Sequence, residues 1–166
     1  MASGKTLTIG VKVEGARETL AAFRRLPKEA SDALRTRSLE LSQRLVELIA
    51  SAARSDSPQS ALMAPTVRAR RDRIPAIEAG GSKRVGRHSK PAWAVLFGSE
   101  FGSNHRSGWY GAPRYAGSSG RQYRPHVGAG SYWLFKTVGA HESQVAATWR
   151  RVAEDVERAF ARGGSV

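Results

Sequence analysis

Cysteine is absent from this 166-residue chain, so neither a disulfide framework nor a thiolate metal site is available to it. No run of about 18 apolar residues occurs, which excludes a membrane-spanning helix. The opening residues, Met1 to Thr6, lack the apolar stretch of a secretory signal, and a soluble chain suited to the cytosol is expected. Histidine is sparse: His88, His105, His126 and His141 are the only four, and none stands at metal-ligand spacing from another. No phosphate-binding loop is present, because no Gly-Lys-Ser/Thr follows a strand pattern. Gly98-Ser99-Glu100-Phe101-Gly102 resembles a nucleophile elbow only superficially, since its serine stands one place too early. Outside the helical regions the acidic residues are Glu14, Asp56, Asp72, Glu78 and Glu100, and no spacing nominates a pair for acid–base work. The chain is therefore expected not to be an enzyme, and to carry no cofactor and no metal.

Acid is also what the chain has least of relative to its opposite. It holds 14 acidic residues against 27 basic ones, a net charge of +13. Residues 67–125 carry 12 basic and 3 acidic groups, so most of the excess lies in the middle third. A one-signed block on a globular body points to a polyanion or an acidic partner surface; the plainer alternative is a solvated face that keeps the chain soluble. Within the block, Arg68, Arg70, Arg71 and Arg73 precede Lys83, Arg84, Arg87 and Lys90. These eight are the candidate contacts to DNA phosphates or to an acidic partner.

Apolar residues make up 40% and charged ones 25%, ordinary values for a globular fold with a core of its own. Over residues 6–13 Leu7, Ile9, Val11 and Val13 alternate with polar or small residues, the period of a half-buried strand. A short helix is predicted from Arg17 to Leu26, closed by Pro27. From Lys28 to Arg54, Leu34, Leu41, Leu45, Leu48, Ile49 and Ala52 form one stripe of a long helix. Glu40 and Arg44 stand four apart in the favourable order for a pair. Residues 55–66 read as a connecting loop. An antiparallel hairpin is predicted next, its strands at 74–77 and 92–97 and its basic, glycine-rich tip at 79–91; Pro75 restricts the first strand to an edge or a bulge. Residues 98–131 read as a flexible aromatic and glycine-rich loop that orders against a neighbour. Tyr132 to Phe135 is a third strand or a helix approach. Last comes a helix over about 141–161, with Val145, Trp149, Val152, Val156 and Phe160 on one face. The order of elements gives a single α+β domain over 1–166: a small antiparallel sheet with a long hairpin, packed on a long amphipathic helix and a C-terminal helix. Aromatic side chains concentrate binding energy at interfaces, so Phe97, Phe101, Trp109, Tyr110, Tyr115 and Tyr123 are the candidate subunit contacts. The alternative for aromatics interleaved with arginine is stacking on single-stranded bases.

Several of these segments, taken in order, resemble the tail-completion or neck proteins of siphophages. The likeness rests on the opening strand, on Gly15-Ala16-Arg17-Glu18-Thr19-Leu20, on the long helix, and on the central hairpin ending at Phe97-Gly98-Ser99-Glu100-Phe101-Gly102-Ser103. It continues through Tyr123-Arg124-Pro125 and Tyr132-Trp133-Leu134-Phe135-Lys136-Thr137-Val138. It covers most of the chain, and it departs from the commoner form in having Lys136 where a proline is usual and a longer insert at 104–122. The resemblance implies a structural protein of the virion neck, assembled in the host cytoplasm. Its copies would form a ring, six by expectation, that bridges head-completion and tail-terminator proteins around the DNA channel. Ring contacts of this kind are heterologous. Two other readings are weighed beside it: a nonspecific nucleic-acid-binding protein acting alone, and a small toxin or nuclease using His88, His105 or Glu100.

Overall fold

The computed structural model describes residues 6–103 and 123–162. The chain has an α+β architecture in which two long helices carry a small antiparallel sheet. Strand β1 is Thr6–Gly10, β2 is Arg68–Arg70 and β3 is Ala76–Gly80, arranged in the order β1-β3-β2. Thr8 stands opposite Glu78 and Glu78 opposite Arg68, so one face carries Thr8, Glu78 and Arg68 while Ile9, Ile77 and Ala69 lie on the other. Period-2 alternation in β1 therefore does what the sequence predicts, although the strand stops at Gly10 rather than running to residue 13.

Helix α1, Ala16–Ala22, continues into a 3-10 turn at Phe23–Arg25. Helix α2 spans Lys28–Asp56 and α5 spans Leu134–Ala161. At 29 and 28 residues, each is about 42 Å long at 1.5 Å per residue. They run antiparallel. Leu34 and Leu41 of α2 share a cluster with Trp149, Ala153 and Val156 of α5, and Leu45, Ile49 and Ala53 share another with Leu134, Val138 and Ala146. Small residues let the two axes approach: Ala30, Ala53 and Ala153 are fully buried. The stripe is only partly inward, because Leu48 keeps 43% of its surface exposed and Ala52 is half-buried. On α5, Trp149 and Val156 are buried, with Val145, Val152 and Phe160 at the margin.

Three expectations are corrected. Residues 55–66 are not a loop but helix α3, Pro58–Met63, followed by a 3-10 turn at Ala64–Thr66. Pro58 forces Ser57 into an extended conformation and so ends α2. The same proline starts α3 at its first turn, while the Ser57 side chain accepts the Ser60 N–H at 3.2 Å. Residues 92–97 are not a strand: helix α4 spans Ala92–Phe101. The predicted long hairpin is consequently absent, and β3 pairs instead with β1 and β2. What remains of it is a two-residue ladder between β4, Arg84–Val85, and β5, Lys90–Pro91. Finally, α5 begins at Leu134, seven residues before the predicted start, and of the two readings of Tyr132 to Phe135 the helix approach is the one that holds.

Candidate partner-binding surface

The ladder of β4 and β5 shapes the basic tip. Gly81 and Gly86 hold positive φ angles of 85° and 70°, values that cost glycine little and other residues much. Gly86 also lies over α3, where an added Cβ would sit 3.2 Å from Leu62 Cδ1. The turn is tied to α4 as well. Ala92 N–H donates to the Lys83 carbonyl at 2.8 Å and Trp93 N–H to the Gly81 carbonyl at 3.1 Å, which satisfies amides that the start of a helix leaves unpaired. A tip held on two helices in this way presents its cations from a defined platform. Lys83, Arg84, Arg87 and Lys90 are all exposed. Arg84 donates to the Ser89 carbonyl at 2.8 Å, and none of the four has an acidic partner among the described residues.

The preceding arginines behave differently. Arg68 and Arg70 flank Glu78 on the sheet face, at 3.0 and 3.7 Å. Arg71 approaches Asp32 at 3.9 Å. Arg73 acts through its backbone: its carbonyl accepts the Trp149 indole N–H at 2.7 Å and the Ser38 hydroxyl at 2.9 Å. The eight predicted cations therefore divide into a tip without acidic partners among the described residues and a preceding group in which Arg68, Arg70 and Arg71 have acidic neighbours while Arg73 is engaged only through its backbone.

Of the predicted aromatic contacts, Trp109, Tyr110 and Tyr115 lie outside the described residues, as does His105. Phe97 and Phe101 are half-buried and stack with centroids 6.2 Å apart, and Phe101 continues the row to Phe135 at 5.9 Å. Phe135 is 37% exposed, so the row ends at the surface. Tyr123 is held inward against Gly98, and burial pushes its phenol pKa up.

Sequence reasoning missed the group that organises this end of the molecule. Glu100 is fully buried. Its carboxylate accepts the N–H of Leu134 at 2.8 Å, of Phe135 at 2.9 Å and of Trp133 at 3.3 Å, together with the Ser131 hydroxyl. Ser131 Oγ in turn accepts the Lys136 N–H at 3.0 Å. The opening amides of α5 are thus satisfied by a carboxylate borrowed from α4, in the place where the helix dipole favours negative charge. The "elbow" Gly98-Ser99-Glu100-Phe101-Gly102 serves as a cap and a packing surface, its Ser99 hydroxyl donating to the Leu96 carbonyl at 2.9 Å and accepting the Trp133 indole N–H at 3.4 Å. An added Cβ on Gly98 would stand 2.7 Å from the Tyr123 ring. On Gly102, at φ +74°, it would stand 2.0 Å from the Pro125 carbonyl oxygen. The one signal available beforehand was a lone carboxylate between glycines in an apolar run, which cannot name its partner 34 residues away.

A second unforeseen element closes the same region. Arg124 forms a two-point ion pair with Asp56 at the end of α2, with Nη1 to Oδ1 at 2.8 Å, and its guanidinium lies 3.6 Å over the Tyr132 ring. Burial acts to raise the Asp56 pKa, but bonds from Arg124, Ser60 and Ser57 outweigh it and hold the carboxyl below its ordinary value. Among the described residues every buried side-chain polar atom has a partner, no group of three potential metal ligands occurs, and no helix is long and apolar enough to cross a membrane. His88 is exposed on the tip, and His126 accepts the Gly128 N–H at Nδ1. Comparison with family models, with curated proteins and with solved structures finds no match.

Proposed function

We propose that this chain is a structural protein of the phage neck, a subunit of a ring, six by expectation, that joins head-completion to tail-terminator proteins around the DNA channel. The observation that carries the reading is the tip: Lys83, Arg84, Arg87 and Lys90 are exposed without acidic partners, on a turn anchored to α3 and α4. Arg68 and Arg70 share the single carboxylate of Glu78, whereas these four have no acidic partner among the described residues. Cations held this way favour phosphates or carboxylates without reading bases. The Phe97–Phe101–Phe135 row supplies an apolar contact of the kind that subunit interfaces use. The buried Glu100 supports a structural role too, since all its contacts go to helix amides and a serine. A carboxylate committed in that way has no face left for a substrate.

Electron microscopy of phage particles carrying a tagged copy tests the assignment. Density at the head–tail junction is expected, and density elsewhere in the virion, or none, overturns it. Mobility shifts of linear DNA across a salt series separate the second reading, nonspecific nucleic-acid binding. A ring subunit binds weakly when free. Nanomolar binding at physiological salt, with a steep salt slope, transfers the tip's role to DNA binding by the isolated chain.

A further inference from the structure

The outer side of α2 is a separate surface that none of the residues assigned to the tip or the aromatic row helps to form. A groove of roughly 490 Å³ runs along the seam of α2 and α5, with Leu41, Val152 and Val156 among its lining. It continues past Leu41, Arg44 and Thr148 toward Leu48 and Val145. Arg37, Glu40 and Arg44 line its α2 side, and Glu47 stands exposed further along the same helix. At 3.6 residues per turn these four and Leu48 fall within about 100° of arc, one stripe of the helix. Leu48 is the most exposed large apolar residue among the described ones, at 43%.

The order of these charges has a property that simple solvation does not require. The positions are symmetric about residue 42, and the signs invert across it. Laid antiparallel on a second copy of itself, α2 sets Arg37 against Glu47 and Glu40 against Arg44, and the two-fold axis repeats both pairs. The helix also leaves part of this charge unused. Glu40 pairs with Arg37 at 3.4 Å rather than with Arg44, although the sequence order favours the latter. Arg44 and Glu47, three apart on the same face, have no ion pair among the described residues. Asp155, on the opposite rim of the groove, is held by Arg158 of its own helix.

We infer that the α2 face is a self-association surface, on which a second copy of this chain docks antiparallel through Arg37, Glu40, Arg44 and Glu47 with Leu48 and the groove beneath. The contact is isologous, the same patch meeting itself across a two-fold axis. Burial of Leu48 and of the groove floor supplies the non-directional attraction. The charges supply orientation and register, which is what interfacial charge does best. The inference stands apart from the neck assignment and holds or fails without it.

Sedimentation of the full chain over a concentration series tests it against two pairs of substitutions. Arg37→Glu with Arg44→Glu makes the stripe wholly acidic, and Glu40→Lys with Glu47→Lys makes it wholly basic. Wild type is expected to pass from monomer to dimer as concentration rises. Each double variant is expected to keep its helical circular dichroism and to self-associate at least about tenfold more weakly, through like charges set face to face. An equimolar mixture of the two variants should recover a dimer containing one copy of each. Leu48→Glu gives an independent arm and should also weaken self-association. A wild type that stays monomeric overturns the inference, as does a larger assembly indifferent to both double variants, or a mixture that fails to pair.

Discussion

At the scale of single residues, two carboxylates with different work hold one end of the molecule together. Glu100 replaces the water that the first amides of α5 would otherwise need, and its removal leaves those donors buried and unpaired. Glu100→Ala should therefore destabilise the fold by at least about 2 kcal/mol, since each buried amide left without a partner costs about 1–3 kcal/mol. Urea denaturation followed by circular dichroism reads the change, and a shift under 1 kcal/mol would show that the cap is dispensable. Asp56 gives a pH signature instead. Its folded pKa lies below the ordinary value of 3.8, so the unfolded chain binds the proton more readily. The stability it contributes is complete above that ordinary value and disappears as pH falls through the lower folded one. Acid titration of thermal stability should show this loss in wild type and a shallower dependence in Asp56→Asn.

At the scale of elements, close approach decides more than propensity. Alanine at an exposed helical glycine normally gains about 1 kcal/mol. Gly98 lies within α4, yet a methyl there meets the Tyr123 ring at 2.7 Å, and overpacking costs about 1–3 kcal/mol. Gly98→Ala is accordingly expected to lower the melting temperature rather than raise it, and a stabilised variant would mean that the 123–125 segment does not rest on α4. The α2–α5 layer depends on Trp149, fully buried and bonded through its indole N–H to the Arg73 carbonyl and to Ser38. Trp149→Ala should cost about 3–5 kcal/mol in chemical denaturation; an unchanged midpoint would contradict its place in the core. The packed stripe and the bonded indole make Trp149 a tie between both long helices and the loop before β3.

At the scale of the whole molecule, the cations of the tip stand apart from the ion pairs that the fold makes. Lys83, Arg84 and Arg87 take no part in the described ion pairs, so reversing all three to glutamate should leave the melting temperature within a degree or two, the ordinary effect of surface changes under about 0.5 kcal/mol. On the proposed neck assignment the same variant should abolish head–tail joining in assembling particles; infectious particles in normal yield would count against that role for the tip. Salt should act on this surface and on the α2 stripe, and much less on the Asp56–Arg124 pair, because screening is strong only where solvent reaches the charges.

The fold class and the two long helices were legible from residue spacing, because a 3.6-residue stripe is a local property that needs no knowledge of its partner. Leu34, Leu41, Leu45 and Ile49 were correctly assigned to the buried face on that ground, as were Trp149 and Val156. The start of α3 was also written locally, in Ser57 followed by Pro58, although the polar composition of 55–66 concealed it. The state of residues 92–97 was not legible. An unbroken apolar run carries no period to choose helix over strand, and the Gly81 and Lys83 carbonyls that receive the helix's first amides are not identifiable from the run itself. The cationic tip stood out as composition, whereas the pairing of Arg68 and Arg70 with Glu78 depended on strand register. Sequence alone therefore determined the two long helices and where positive charge accumulates. Tertiary structure alone decided which charges stay unpaired, which strand joins β1 and which carboxylate caps α5, because each depends on groups far apart in the chain that only folding brings within bonding distance.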